Sequence, residues 1–298
     1  MNNTKISPEN RYTEYDPWAW LYNKSEAHLA CKAILPIIEK LLIRDLNPGA
    51  KIFDLCCGTG QLSQELIKKG YQVVGLDGSE QMLNYAKQNA PKAELILDDA
   101  RSFKLPSNSF DAVICTDSAL NHIMSLEDLK KVFRNVYSVL QADGLFLFDL
   151  GLENRYSNIA IADGEMQTNY AWTVGETYNP EAKVGTFTIR MFQPNDDGSR
   201  RKINLFSSLL QNLNRIIYNK VLRYIKPSAL LKLIEKDWQS SKINFAVKPY
   251  AKTEIQSALE SIGFTAIKIY NSKGKLAKPQ KEQYVACFVA RKPAVSQL

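Results

Sequence analysis

The sequence predicts an α/β fold in which helices cover both faces of a mainly parallel sheet. Between residues 51 and 150, short apolar segments alternate with amphipathic helical segments, an order typical of parallel sheets with both faces buried. The first apolar segment runs directly into a glycine-bearing turn, and an acidic residue stands at or near the end of four successive segments. At 298 residues with 45% hydrophobic content, the chain can bury a full core.

Five apolar segments are predicted to be the first strands of this sheet: "KIFDLC", "YQVVGLD", "AELILDDA", "FDAVICTDSAL" and "LFLFDL". Helical segments follow the first, second and fourth of them, and Ser79 is the predicted N-cap of "SEQMLNYAKQNAP". Near the end of the chain, "TEIQSALESIGF" predicts a helix with a capping box of Thr253 and Gln256. Two further strands, "TAIKIYNS" and "EQYVACFVARK", are predicted after it.

The composition disfavours several classes of protein. The five cysteines are odd in number and lie mostly in apolar segments, which argues against a disulfide framework. Two histidines and no Cys-x-x-Cys argue against a zinc site, so we predict no metal. The N-terminal residues lack the basic start and apolar stretch of a signal peptide, and no run approaches eighteen apolar residues. We therefore expect a cytoplasmic protein.

The charge is divided between the two halves of the chain. Residues 1–150 carry 16 basic and 19 acidic side chains, whereas residues 151–298 carry 22 and 12. Within the second half, residues 198–252 hold twelve basic side chains and two acidic ones. This segment indicates either a solvated basic surface or an attraction for anionic substrates, nucleic acid or membrane.

The four acids that mark the predicted strand ends are Asp54, Asp77, Asp99 and Asp117. They are separated by 23, 22 and 18 residues, each about the length of one strand–helix unit. The carboxyl ends of parallel strands meet at one edge of a sheet, where ligands of such folds bind. The sequence therefore predicts a ligand site at this edge.

Each of these positions suits part of a nucleoside. Gly58 and Gly60 lack a Cβ, so the turn can take positive φ and a ligand can approach its backbone and the following helix N-terminus. Asp77 is placed to accept hydrogen bonds from both ribose hydroxyls. Asp99 could accept from an exocyclic adenine amine while the Ala100 backbone donates to the ring, with Met82 and Leu83 as an apolar wall.

The motifs "DLCCGTG", "GLDGSEQML", "LDDARSFKLP" and "FDAVICTDSALNHI" occur in this order, and in them the chain resembles the class I S-adenosylmethionine-dependent methyltransferases. The resemblance implies a Rossmann-like seven-stranded sheet, S-adenosylmethionine as cofactor, and methyl transfer to a nitrogen or oxygen atom of a small molecule. It places Asp117 beside the methionine end of the cofactor. Cys56 stands where the motif has its first glycine, as in many family members. The residues expected at the cofactor are Tyr22, Asp54, Cys56, Gly58, Gly60, Asp77, Gly78, Ser79, Met82, Asp99, Ala100 and Asp117.

Two other interpretations of the turn fit the sequence less well. A dinucleotide-binding oxidoreductase would need a third glycine where this chain has Ser63. A tight turn without any ligand is disfavoured by the four acids in register.

The predicted sections of the chain are an N-terminal helical cap (1–50), a cofactor-binding core (51–151), a lid insertion (152–252), and a closing helix with the last two strands (253–298). Alternation in "YAWTVGETYNP" and "KVGTFTIRMFQPNDDGSRRKINLF" predicts antiparallel strands in the insertion. Residues 206–224 predict a basic amphipathic helix. Its apolar face would pack on the core, form a homodimer, or rest on an anionic membrane.

His122 follows the fourth strand, and its near-neutral titration suits removal of a proton from the acceptor. The alternative is that it only begins the next helix. The histidine and the aromatic segment "RYTEYDPWAWLYNK" are similar in organisation to sugar N-methyltransferases. This resemblance implies that Tyr15 and Tyr22 contact acceptor and cofactor, with Tyr15 joining His122 as a catalytic candidate. Trp20 would form a wall near the sulfonium, and Trp18 would pack the helix on the sheet.

The expected acceptor is a small anionic or amine-bearing molecule, and nucleic acid is not expected to be a partner. Methylation of RNA or of a membrane lipid headgroup, and a cofactor-binding module without catalysis, are the alternatives.

Overall fold

The computed structural model describes residues 12–156, 159–167, 169–194, 238–277 and 284–294. The chain divides into two compact units, Met1–Arg155 with Val247–Leu298, and Tyr156–Ala246. The predicted section boundaries at 152 and 252 stay a prediction.

The first unit is built on a seven-stranded sheet, which confirms the predicted fold class. Its strands are β1 (Lys51–Leu55), β2 (Gln72–Asp77), β3 (Glu94–Leu97), β4 (Phe110–Cys115), β5 (Leu140–Gly151), β10 (Thr265–Asn271) and β11 (Val285–Arg291). Their order in the sheet is β10-β11-β5-β4-β1-β2-β3. Strands β1 to β5 run parallel, while β11 is antiparallel to both β5 and β10. The carboxyl ends of β5, β4, β1 and β2 are thus side by side.

Helices cover both faces of this sheet. They are α1 (Ala19–Lys24), α2 (Glu26–Leu41), α3 (Gln61–Lys68), α4 (Glu80–Asn89), α5 (Leu126–Val139) and α6 (Lys252–Ile262). Alternate residues of β1 enter different cores: Ile52 packs with residues of α2 and α3, and Phe53 with residues of α5 and α6. Among the described helices, none is long and apolar enough to cross a membrane.

The structure confirms one predicted helix start and corrects another. Ser79 accepts a hydrogen bond from the Met82 backbone at the start of α4, as predicted. The expected capping box of Thr253 and Gln256 is wrong, because α6 begins at Lys252 and its N-cap is Ala251, two residues before Thr253. The Glu254 side chain accepts from the Ala251 backbone at 2.8 Å instead.

The second unit contains a four-stranded sheet in the order β6-β7-β8-β9. Its strands are β6 (Ile159–Met166), β7 (Ala171–Asn179), β8 (Val184–Pro194) and β9 (Trp238–Val247). Strands β7 and β8 are the predicted antiparallel pair, and the Asn179 side chain accepts from two backbone N–H groups in their turn. β6 and β9 were not predicted. The amphipathic helix at 206–224 and the turn at Asp197-Gly198 lie outside the described residues.

Candidate active site

Two cavities open at the carboxyl ends of the parallel strands. The first, of about 140 Å³, extends from Met82 and Ala100 to His122. The second, of about 220 Å³, lies between α2 and the sheet. Tyr22 and Asp117 line both, so the two cavities are adjacent.

The Asp77 carboxylate at the end of β2 is fixed by two backbone groups. The Gly58 N–H donates to Oδ2 at 2.8 Å, and the Ser79 N–H donates to Oδ1 at 2.9 Å. Gly58 has φ +55°, and a Cβ there would lie 3.4 Å from the Tyr22 ring. Burial raises the pKa of Asp77 to about 6, partly offset by these backbone donors. The carboxylate is therefore mostly ionised at pH 7, and it lines the first cavity.

Gly60 and Ser79 make structural contacts next to this cavity. Gly60 has φ +83°, and a Cβ there would meet Ala86 of α4 at 3.0 Å. Ser79 is fully buried, and its hydroxyl donates to Asp16 at 2.5 Å. Neither is among the described residues that line the cavity. Their direct contact with a cofactor stays a prediction.

Cys56 lines the cavity at the position where a glycine was expected. It adopts a left-handed conformation with φ +59°. Its thiol is hydrogen-bonded to Cys115 at the end of β4, and this contact together with burial raises the pKa of Cys115 well above its usual value. The neighbouring strand thus holds the non-glycine residue in the turn.

An N-terminal segment covers the first cavity with aromatic rings: Tyr12, Tyr15, Trp18 and Tyr22. The prediction for Trp18 and Trp20 is corrected. Trp18 lines the cavity, with its ring centroid 4.8 Å from that of Tyr22, whereas Lys24 stands over Trp20 at 5.7 Å.

Hydrogen bonds to three helix ends hold this segment in place. Asp16 accepts from the Ser79 hydroxyl and from the Gln81 backbone at the start of α4. Asn23 accepts from Gln61 at the start of α3 and from Asn89 at the end of α4, both at 2.8 Å.

Tyr15 and His122 form a direct pair inside the first cavity. The Tyr15 hydroxyl lies 2.6 Å from His122 Nε2, and the two rings meet edge to face. Burial raises the pKa of Tyr15 well above its usual value, so the hydroxyl keeps its proton and can donate to Nε2. His122 ends a short 3-10 turn, Ala119–His122.

The backbone between β4 and this turn is strained. Asp117 and Ser118 have φ of +61° and +57°, a conformation that is costly for residues with a Cβ. Two hydrogen bonds hold it: Tyr22 donates to Asp117 at 2.9 Å, and the Ser118 N–H donates to Asp149 at 3.0 Å. The strain therefore lies where the two cavities meet.

The second cavity is lined by three acids: Asp54, Asp117 and Asp149. Burial raises the pKa of Asp54 and of Asp149 to about 7 each. The Ser63 hydroxyl donates to Asp54 at 2.6 Å and lowers its pKa against this trend. Ser63, read in the sequence only as a missing glycine, thus has a role of its own.

The Asp99 carboxylate is held by Arg101. Arg101 donates to both of its carboxylate oxygens, at 2.9 and 2.5 Å, and Asp99 is not among the described lining residues. Ala100 lines the cavity, and Tyr12 stacks over Arg101 at 5.2 Å. An adenine contact through the Asp99 carboxylate stays a prediction.

The structure brings most of the predicted residues to one of the two cavities. They are Tyr15, Tyr22, Asp54, Cys56, Gly58, Asp77, Gly78, Met82, Ala100, Asp117 and His122. Sequence reasoning missed Tyr12, Trp18 and Asp149 as lining residues. Asp149 had a signal, because it stands near the end of the fifth strand in the same way as the four acids that were noticed.

Comparison with known proteins agrees with this architecture. Residues 52–144 match the family model described as "Methyltransferase domain". A Bacillus subtilis (strain 168) protein named as a methyltransferase, YqeM, is 33% identical over 53% of this chain and 65% of its own length. A glycine/sarcosine N-methyltransferase of Aphanothece halophytica is 38% identical over 57% of this chain and 65% of its own length. The chain thus matches just under two thirds of each relative.

Solved structures share the fold at low sequence identity. An S-adenosylmethionine-dependent methyltransferase from Clostridium acetobutylicum ATCC 824 superposes with a TM-score of 0.69 at 16% identity, covering 94% of this chain and 99% of that one. The sugar N-methyltransferase KedS8 from Streptoalloteichus sp ATCC 53650 gives 0.63 at 13% identity, with 98% of each chain covered.

Residues 52–144 therefore match a methyltransferase domain, and the seven-stranded sheet has the fold of solved S-adenosylmethionine-dependent methyltransferases.

Proposed function

We propose that this chain transfers a methyl group from S-adenosylmethionine to the amine nitrogen of a small molecule. The observation that carries the proposal is the Tyr15–His122 pair, which lies in the same cavity as the fixed carboxylate of Asp77. A proton acceptor and a nucleoside anchor thus share one enclosed space.

The residues present fit the cofactor. The Gly58 and Ser79 N–H groups each hold one oxygen of the Asp77 carboxylate, which lines the cavity and can accept hydrogen bonds from the two ribose hydroxyls. Met82 and Ala100 line the part of the cavity suited to adenine. The ammonium group at the methionine end suits the acids of the second cavity, Asp54 and Asp117.

His122 is assigned the proton transfer. When bound, S-adenosylmethionine supplies a methyl group already activated by its sulfonium, so the protein must orient the acceptor, exclude water and remove a proton. His122 Nε2 accepts the proton that the acceptor nitrogen loses. Tyr15 holds the imidazole in place through its hydroxyl and keeps Nε2 facing the cavity until the acceptor arrives.

An amine is favoured over the anionic acceptor that the sequence left open. The matched relative from Aphanothece halophytica is named as an N-methyltransferase of glycine and sarcosine, and KedS8 as a sugar N-methyltransferase. Both names support nitrogen as the acceptor atom.

Calorimetry with S-adenosylmethionine and with NAD is the first test, followed by a panel of amino sugars, amino acids and matched hydroxyl compounds. We expect binding of S-adenosylmethionine alone, and release of S-adenosylhomocysteine with amines. Binding of NAD, or turnover confined to hydroxyl compounds, would contradict the proposal.

Methylation of RNA or of a membrane lipid is not proposed as a second function. Most of the basic segment that suggested it lies outside the described residues.

A further inference from the structure

Asn121 is a fully buried amide immediately before His122. Its side chain donates to the Gly151 carbonyl at 3.0 Å and to the Lys248 carbonyl at 2.8 Å, and it accepts from the Gly151 N–H at 2.8 Å. Its own carbonyl accepts from the Lys248 N–H at 2.7 Å. One residue thus makes four hydrogen bonds to two distant points of the chain.

These two points bound the second unit in the sequence. Gly151 is the last residue of β5, shortly before that unit begins at Tyr156, and Lys248 follows its end at Ala246. We call Gly151 and Lys248 the stems of the insertion.

The residue that follows His122 is also held, from a position two residues after Lys248. The Tyr250 hydroxyl, which is buried, donates to the Ile123 carbonyl. His122 therefore stands between Asn121, which is tied to both stems, and Ile123, which is tied to Tyr250.

Of the partners in these contacts, Gly151 is held by the central sheet. β5 pairs with β4 and β11 in the middle of the sheet, so Gly151 is fixed by the core. The turn itself has the strained residues Asp117 and Ser118 ahead of it, and a turn of this kind persists only where surrounding contacts hold it.

We propose that Asn121 is a positioning residue for His122, because its side chain fixes the catalytic turn to both stems of the insertion. The inference rests on the proposed role of His122. It adds that the two stems determine the position of the imidazole through the Asn121 side chain, which does not line the described cavities.

The test uses three variants of the full chain. Asn121→Ala removes all three side-chain bonds, Asn121→Asp keeps only the bond from the Gly151 N–H, and Tyr250→Phe removes one hydroxyl while it keeps the ring. Leu259→Ala is the control, since Leu259 is fully buried on α6 in the same core as Leu120 and Ile123, and its truncation removes packing there but none of these hydrogen bonds.

The first readout does not depend on activity. The chain has two histidines, His28 and His122, so histidine-labelled protein gives two sets of ring signals by NMR, and His122→Gln assigns them. We expect the Asn121 variants to shift or broaden the His122 signals and to leave those of His28 unchanged. Tyr250→Phe should shift them by less, and Leu259→Ala should not shift them.

The second readout separates positioning from binding. With an amine acceptor, both Asn121 variants should lower kcat by roughly tenfold to a hundredfold. Their Kd for S-adenosylmethionine should stay within about twofold of wild type, because the Asp77 carboxylate is held by Gly58 and Ser79 and not by Asn121.

His122 signals that match wild type in every folded variant, or that move equally in Leu259→Ala, would overturn the inference. If both Asn121 variants fail to fold, Tyr250→Phe decides by the same signals. A wild-type chain that binds no S-adenosylmethionine would sink the proposed function instead, and the ring signals would still report the positioning.

Discussion

The two ends of the first cavity are built in different ways. At the ribose end, Asp77 is held by Gly58 and Ser79, which are 19 and 2 residues away along the chain. At the methyl end, Tyr15 meets His122 across 107 residues, and Tyr22 meets Asp117 across 95. The contacts that hold Asp77 at the ribose end come from one strand–helix unit and its neighbour in the sequence. The methyl end instead depends on contacts between the N-terminal segment and residues that follow β4.

This difference separates the part of the cavity that would hold the cofactor from the part that would select the acceptor. A locally encoded anchor keeps its geometry when distant segments change. An anchor assembled from distant segments follows every change in them, so acceptor specificity should be sought at the methyl end.

The comparison predicts its largest effect at the ribose anchor. Asp77→Ala removes two hydrogen bonds to a charged acceptor, each worth about 1.5–3 kcal/mol, so Kd for S-adenosylmethionine should rise roughly a thousandfold. Calorimetry measures it. Ser107→Ala is the control, since Ser107 is exposed and bonded to Ser138 away from the site. An Asp77→Ala chain that binds normally would remove the ribose assignment.

His122→Ala should act at the methyl end of the cavity, and it should change kcat rather than cofactor affinity. Loss of a general base lowers kcat by roughly a hundredfold or more, while Kd for S-adenosylmethionine stays near wild type because the ribose anchor is intact. Single-turnover rates with a saturating amine measure it. Unchanged turnover would show that His122 is not the general base. Loss of cofactor binding would show that the ribose end depends on the methyl end.

Acid should weaken the ribose end before the fold is lost. The pKa of Asp77 is raised to about 6 by burial, and Asp16 nearby adds to the shift. The ionised form binds the ribose hydroxyls, so affinity is nearly complete at pH 7, is halved near pH 6 and falls further as Asp77 takes up a proton below it. Kd should be about tenfold higher at pH 5 than at pH 7.

The same titration must be separated from that of the second cavity. Asp54 has a pKa of about 7, so Asp54→Asn provides the matched comparison. A Kd that stays flat from pH 7 to pH 5 in both proteins would contradict the ionised state of Asp77 as the binding form.

The residues at the ribose end could be placed in one region from the sequence because their signals are local. The glycine turn, Asp77 and the Ser79 cap fall within two strand–helix units, and strand ends in a parallel sheet leave little freedom in where they point. Asp99 shows the limit of this reasoning. Its position at the third strand end was readable, but its rotamer, which turns both oxygens to Arg101, follows from packing.

The methyl end was predicted in part. Tyr15, Trp18 and Tyr22 are spaced by three and four residues, so one helical face would have placed Trp18 rather than Trp20 in the cavity. That signal was present in the sequence. The partners of Asn121 were not readable, because they lie 30 and 127 residues away and nothing in a sequence distinguishes a buried amide from a solvated one.

The smallest effect should come from the hydroxyl of Tyr15. Tyr15→Phe keeps the ring against His122 and removes one hydrogen bond, which is worth about 1 kcal/mol, or roughly fivefold in kcat. Tyr22→Phe is the matched control, since it removes a hydroxyl of the same segment that bonds to Asp117 instead. Because Asp117 lines both cavities, Tyr22→Phe should raise KM more than it lowers kcat. Equal losses in kcat from both variants would mean that the segment acts as one cover, and that Tyr15 has no separate part in orienting the imidazole.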